Sequence, residues 1–302
     1  MTHSIDINRD TRYKLNNGTE VPVIGFGVYD IPVEETAQRV YTALQEGYRH
    51  IDTAVVYENQ KQAAQGVHRF LEETGTPREE VWFTTKLWNT QQGRDATPRA
   101  LEEIAADVKE FIGYVDLLLL HSPLTDAQRR LETWAVLERA VQEPASSALE
   151  IRAIGVSNFG VRHLQELLEV ATVKPVVDQL ELHPWLPRAE LRAFLRENGI
   201  LAEAYSPLTQ GVRLQDPELL ALEAKSGLSK GEILLRWSFL QGFAVLVKSN
   251  NPQRIRDNLA VLPAKTDSWK VSLDQELWDA LDKPDSHDVA TWGQKDPTEY
   301  TV

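Results

Sequence analysis

The sequence predicts an α/β protein closed into a single barrel of eight parallel strands, (β/α)8, with a β-hairpin at its N-terminal end. Three observations predict it. Short apolar runs alternate with helical patterns along the whole chain, with no low-complexity linker and no break in composition. Eight such runs follow the hairpin. The runs end in polar residues at the same end, which is what the active face of a TIM barrel requires. At 302 residues, 42% of them hydrophobic, the chain has the length and the core of one closed barrel. An open doubly wound sheet would show the same alternation, and periodicity alone does not separate the two. Residues 1–302 read as one domain, with 1–24 as an N-terminal segment and hairpin and 286–302 as a C-terminal tail.

The elements follow in order. Asn16, Asn17 and Gly18 lie between Tyr13 and Val21, and Asn-Gly is a strong tight-turn signal because glycine tolerates positive φ. The eight candidate strands are 25–29, 49–52, 82–86, 115–120, 154–157, 176–180, 201–205 and 243–247. The fourth, VDLLLL, is almost continuously apolar, as a strand buried on both faces should be. Between them, Ala37, Val40, Tyr41 and Leu44 recur at helical spacing and Gly47 stops that helix. Thr97 reads as an N-cap with Pro98 at the first helical position, and Leu101, Ile104, Ala105 and Val108 form the inward face. Ser229 and Glu232 form a capping box. Asn251-Pro252 opens a helix that faces inward with Ile255 and Leu259, and the run from Ser272 to Gln275 begins a last one.

The strand ends carry the chemistry. The second ends at Asp52, with Tyr57 close behind; the third at Lys86; the fourth at His121; the fifth at Ser157 and Asn158. The sixth carries Gln179, the seventh ends at Tyr205 and Ser206, and the eighth at Lys248 and Ser249. Tyr57 alone is a weak acid with a reference pKa of about 10. A neighbouring Lys86 ammonium would lower it, Asp52 would hold that ammonium, and His121 could orient a carbonyl oxygen. This set suits carbonyl reduction, with the hydride supplied by a cofactor because no side chain supplies one.

Composition excludes other classes. The chain carries 32 Lys and Arg against 45 Asp and Glu, a formal net charge of -13, so it repels nucleic acid while leaving room for a local basic phosphate pocket. It has no cysteine, hence no disulfide or thiolate chemistry, and no His-x-x-x-His spacing, so no metal is expected. The N-terminus lacks a signal-peptide core and no apolar run approaches the ~20 residues of a membrane span. A cytoplasmic protein, monomeric or weakly dimeric, is expected. The glycines at 25 and 27 lack the third glycine of the dinucleotide fingerprint, which argues against a Rossmann dehydrogenase but not against nicotinamide binding.

An ordered series of motifs resembles the aldo-keto reductase family. They are GFGV at 25–28, GYRHIDTA at 47–54 with YEN at 57–59, TKLW at 85–88, DLLLLHSP at 116–123 and RAIGVSNF at 152–159, then DQ at 178–179, AYSPL at 204–208 and VKSN at 247–250. Together they span roughly residues 13–285. The resemblance implies a catalytic tetrad of Asp52, Tyr57, Lys86 and His121, with Tyr57 as general acid in reduction and base in oxidation. It implies NADP(H) as cofactor, with Tyr205 stacked on the nicotinamide and Ser157, Asn158 and Gln179 on its carboxamide. Gly27, Val28, Ser206 and Leu208 would lie along the cofactor. Lys248, Ser249, Asn250 and Arg254 would grip the adenosine 2′-phosphate, with Asn258 on the adenine. The helix start at Asn251-Pro252 suits such an anion. Tyr29, Trp88, His121 and Trp292 would line the pocket of a small-molecule carbonyl substrate.

Three departures stand out. Ser122 takes the place that Trp fills in many members, which would remove a large ring from the substrate pocket. Residues 142–150 look longer than usual and read as a surface loop. The tail after Asp285, with Trp292 and Tyr300, is the part the family varies most and does not transfer by motif. His183 has no proton to move and reads as structural. Two other function classes remain open on the sequence alone. Lys86 could serve as a Schiff-base nucleophile, although Asp52 beside it would keep the amine protonated. The fold could also carry a non-catalytic NADP(H)-binding sensor or structural protein.

Overall fold

In a computed structural model, which describes residues 2–264 and 270–302, eight parallel strands close into a barrel. In chain order they are β1 (Ile24–Gly27), β2 (His50–Asp52), β3 (Trp82–Leu87), β4 (Leu117–Leu120), β5 (Ile154–Ser157), β6 (Val177–Glu181), β7 (Leu201–Tyr205) and β8 (Ala244–Val247). Each pairs with its sequence neighbours. Pairing of β8 with β1, Val247 opposite Phe26, closes the ring and excludes the open doubly wound sheet. The strands are buried on both faces, as their apolar runs require: the four leucines of β4 are fully covered. In β3, Phe83 and Leu87 join the outer core under the helices. Trp82, Leu117, Leu119 and Val177 instead form a separate inner cluster. Leu15 and Val21 of the hairpin pack on this inner cluster and plug the end of the barrel opposite the strand C-termini.

Ten helices are present among the described residues: α1 (Val33–Glu46), α2 (Gln60–Thr74), α3 (Ala96–Ile112), α4 (Ala127–Gln142), α5 (Val161–Leu168), α6 (Ala189–Asn198), α7 (Pro217–Ser226), α8 (Lys230–Leu240), α9 (Pro252–Ala260) and α10 (Gln275–Leu281). None is long and apolar enough to cross a membrane. Three local signals act as expected. Gly47 caps α1 at φ 116°. Ser229 and Glu232 bond each other's backbone N–H groups at the start of α8. The Asn251 side chain accepts from the Gln253 and Arg254 N–H groups at the start of α9.

Elsewhere the structure corrects the reading. The first strand is Ile24–Gly27 rather than 25–29, because the chain turns into Tyr29 and a positive-φ Asp30. The 115–120 run is broken at Asp116. Tyr114–Val115 pairs with Glu150–Ile151, while the Asp116 carboxylate accepts from the Phe83 N–H and from Arg78. Thr97 does not cap α3. The helix starts at Ala96, and the Thr97 hydroxyl donates to the Gln91 carbonyl, while Pro98 sits in a first turn that needs no intrahelical N–H. The segment Val271–Asp274 is a strand, paired antiparallel with an additional strand, Thr2–Ile5. The last helix therefore starts after it, with Asp274 accepting from the Leu277 N–H. The alternation of Val271 and Leu273 into the core, period two rather than 3.6, explains the miss. Residues 142–150 include the end of α4 and a 3-10 turn at Pro144–Ser146; residues 143–146 are exposed, and the loop enters β5 on the side away from the strand C-termini.

Candidate active site

At the C-terminal mouth, β2 presents Asp52, the turn after it presents Tyr57, β3 presents Lys86 and β4 leads into His121. Lys86 is fully buried and spends all three ammonium protons: on Asp52 Oδ1 at 2.7 Å, on Asp52 Oδ2 at 2.8 Å and on the Thr53 carbonyl at 2.8 Å. The Tyr57 ring lies 5.2 Å from Lys86 Nζ and meets His121 edge-on at 5.6 Å and Tyr29 at 5.1 Å. The four expected tetrad residues therefore lie together at the C-terminal mouth. Asn59 holds the two loops that build it: its Nδ2 donates to the Val28 and Ile31 carbonyls, and its Oδ1 accepts from Thr53.

The electrostatics depart from the sequence reading in sign. Burial raises the Tyr57 pKa well above the tyrosine value, and the Asp52 charge adds to the rise. Lys86 fails to lower it because its charge is matched by Asp52, with all its protons committed there and to Thr53. Tyr57 is therefore a phenol throughout the neutral range. Burial, with Lys86 nearby, depresses His121, so its imidazole is neutral, and its buried Nδ1 has no partner among the described residues.

A second group joins Ser157, Asn158, Gln179 and Tyr205. The Ser157 hydroxyl donates to the Gln179 backbone carbonyl, Asn158 Nδ2 donates to the His121 carbonyl, and Tyr205 Oη donates to Asn158 Oδ1 at 2.8 Å. A third group follows β8 at the same end. Arg254 Nε donates to Ser249 Oγ at 3.3 Å, and Lys248 lies 3.6 Å from Asp30. Asn250 is exposed, and Asn258 lies one helical turn beyond Arg254. Of the other expected cofactor residues, Gly27 ends β1, while Ser206 and Leu208 lie just beyond β7, partly exposed. Val28 has a covered side chain, an N–H bonded to the Asp52 carbonyl and a carbonyl bonded to Asn59.

The tail brings Trp292 onto the same group of residues. Trp292 stacks on Trp88 with centroids 6.0 Å apart, meets His121 edge-on at 6.1 Å and donates from Nε1 to Tyr205 Oη. Two clamps hold it there. Buried Glu181 accepts from the Ala290 and Thr291 N–H groups and from His183, giving that histidine the structural role expected of it. Arg188 makes a bidentate pair with Asp296 at 2.7 and 3.0 Å. Tyr300 also ties the tail down, through its carbonyl on the His163 ring at 2.7 Å. Ser122 is fully buried with its hydroxyl bonded to Asn89, so it braces the loop after β3.

Sequence reading missed Glu203. This residue of β7 is completely buried beside Asp52, accepts from Gln179 Nε2 at 2.7 Å and lies 3.9 Å from His50. The available signal was a lone charge in an otherwise apolar strand, two residues before inward-facing Tyr205. Gly25 makes room for His50: a Cβ there would fall 2.8 Å from the ring. Burial and Asp52 push the Glu203 carboxyl up to about 8. An exposed glutamate ionises near pH 4.3, so folding holds a proton on Glu203 that the unfolded chain loses as pH rises. Stability is therefore drained between those two values. Glu203→Gln is expected to gain on the parent protein by on the order of 3 kcal/mol between pH 5 and pH 8. Urea unfolding at both pH values measures this, and parallel pH dependences would contradict it.

Comparison with known proteins agrees with this fold. The model of the Aldo/keto reductase family matches residues 23–279. The chain is 38% identical over 284 residues to an uncharacterized oxidoreductase of Saccharomyces cerevisiae, covering 93% of this chain and 96% of the relative. It is 38% identical over 270 residues to the glyoxal reductase of Bacillus subtilis, covering 89% and 91% respectively. Its fold is similar to the crystal structure of a Bombyx mori aldo-keto reductase in complex with NADP, at TM-score 0.81 and 30% identity over 98% of this chain and 100% of that one. With its closed barrel and its polar strand ends converging on one mouth, the chain belongs to the aldo-keto reductase family of oxidoreductases.

Proposed function

We propose that this protein reduces aldehyde, ketone or open-chain sugar carbonyls to alcohols, using NADPH and with Tyr57 as the proton donor. The observation that carries the reading is the juxtaposition of two groups: the Tyr57 phenol and the neutral His121 imidazole meet edge-on, beside the closed Lys86–Asp52 pair. A carbonyl oxygen lying between them would accept from both, and Tyr57 would pass its proton to that oxygen as charge develops. NADPH, when bound, supplies the hydride to the carbonyl carbon. Tyr29, Trp88 and Trp292 set aromatic rings around Tyr57 and His121, surfaces against which the carbon face of a small carbonyl substrate would pack.

The residues fit that cofactor. Lys248, Ser249 and Arg254 gather a lysine, a hydroxyl and a guanidinium at the start of α9, chemistry suited to a 2′-phosphate. Arg254→Ala is expected to weaken NADP+ binding about tenfold or more and NAD+ binding little, since a charge-assisted hydrogen bond is worth roughly 1.5–3 kcal/mol. Titration of both nucleotides by tryptophan fluorescence tests this, and equal losses refute the phosphate assignment. Because Tyr57 stays a phenol, reduction should show no break near pH 7, whereas alcohol oxidation, which needs the phenol to lose its proton, should climb steadily with pH. A plateau in oxidation below pH 8 would contradict the raised tyrosine.

A further inference from the structure

Gln179 Nε2 has two protons, and both are committed: one to Asp52 Oδ2 at 2.9 Å, the other to Glu203 Oε2 at 2.7 Å. This fixes which end of the amide is which. Turning it over would set the carbonyl oxygen against the Asp52 carboxylate, the charged partner of Lys86. The amide thus retains its carbonyl oxygen to offer a ligand. Neighbouring Asn158 is spent differently: its Nδ2 donates to the His121 carbonyl and to Ser157 Oγ, and its Oδ1 accepts from Tyr205. Of the two amides, Gln179 is the one whose carbonyl oxygen takes no hydrogen bond among the described residues.

We propose that Glu203 is a positioning residue for the nicotinamide, clamping the Gln179 amide from the side opposite Asp52 so that its carbonyl oxygen receives the carboxamide NH2. The inference rests on the reading above that Gln179 contacts that carboxamide. Asp52 alone does not define the amide. A single acceptor fixes one N–H and leaves rotation about that contact, while a second acceptor on a separate strand fixes the plane. The two acceptors come from β7, beside β6 in the ring, and from β2, across the barrel from it, so barrel closure itself sets the amide. Both are rigid: Glu203 is fully buried, and Asp52 is held by Lys86.

The test separates the nicotinamide end of the cofactor from the adenosine end. Binding of NADP+ and of adenosine 2′,5′-bisphosphate would be measured by calorimetry for the parent protein and for Glu203→Ala, Glu203→Gln and Gln179→Ala. The bisphosphate lacks the nicotinamide and so reports only folding and the phosphate site. Glu203→Ala should weaken NADP+ about tenfold, the size of one lost hydrogen bond, with bisphosphate binding unchanged. Glu203→Gln should stay near the parent value, since its carbonyl oxygen can still accept from Gln179. Gln179→Ala should match or exceed the loss of Glu203→Ala. If Gln179→Ala weakens NADP+ while Glu203→Ala does not, the clamp is wrong and the reading of Gln179 survives. If Gln179→Ala leaves NADP+ binding intact, that reading is wrong and the clamp falls with it. If Glu203→Ala weakens both ligands alike, Glu203 supports the barrel in general and does not position the nicotinamide.

Discussion

Tyr57→Phe should lower the rate of carbonyl reduction by about 10²- to 10⁴-fold, the usual contribution of a placed general acid. It should leave NADPH affinity nearly unchanged. The substitution removes one oxygen and keeps the ring, so the edge-on contacts with His121 and Tyr29 survive. The neighbours cannot substitute for the lost proton. His121 is neutral because burial and Lys86 disfavour its charged form. Lys86 has no proton to spare, with all three on Asp52 and Thr53. Single-turnover kinetics with NADPH and an aldehyde measures the effect, and a loss smaller than about tenfold would remove Tyr57 from the proton path.

Lys86→Met should cost about 3–5 kcal/mol of stability, the range for removing one partner of a buried ion pair. Methionine fills much the same volume, so the cost comes from the Asp52 carboxylate, which is buried and left with the Gln179 amide as its remaining bonded side chain. The control is the double variant Asp52→Leu with Lys86→Met, which removes both charges. It should be closer to the parent in urea unfolding than the single variant, because a buried pair contributes little net stability over apolar packing. A single variant as stable as the parent would mean that water reaches Asp52. Both variants should be inactive, which separates stability from catalysis at this pair.

The fold was legible because the barrel writes itself into local patterns. Runs as apolar as β4 admit few alternatives, and capping at Ser229 and Asn251 depends only on neighbours in sequence. What escaped detection depended on contacts far apart in the chain. Asp116 breaks a run that reads as one strand because its carboxylate is claimed by Arg78 and Phe83, more than thirty residues away. Val271–Asp274 becomes a strand because Thr2–Ile5 lies beside it.

The site divides the same way. Asp52, Tyr57, Lys86 and His121 were readable from their places at or just after the ends of apolar runs, and the structure brings them together. The sign of the Tyr57 shift was not readable, since it depends on burial and on where the Lys86 protons go. Glu203 was hidden because its meaning lies in Gln179 and Asp52 on other strands. The tail was the least legible part. Trp292, Gly293 and Gln294 all have left-handed backbone, imposed by Glu181 and Arg188 reaching the flanking residues, and no local pattern announces that.

The most direct test of the account is NADPH consumption by the unaltered protein, followed by absorbance across aliphatic, aromatic and open-chain sugar aldehydes, with NADH in parallel. Turnover with NADPH, yielding one alcohol per NADPH consumed and faster than with NADH, is the predicted result. Tight NADPH binding without turnover of any carbonyl or alcohol, in either direction, would contradict it and leave a nucleotide-binding protein with an idle tetrad.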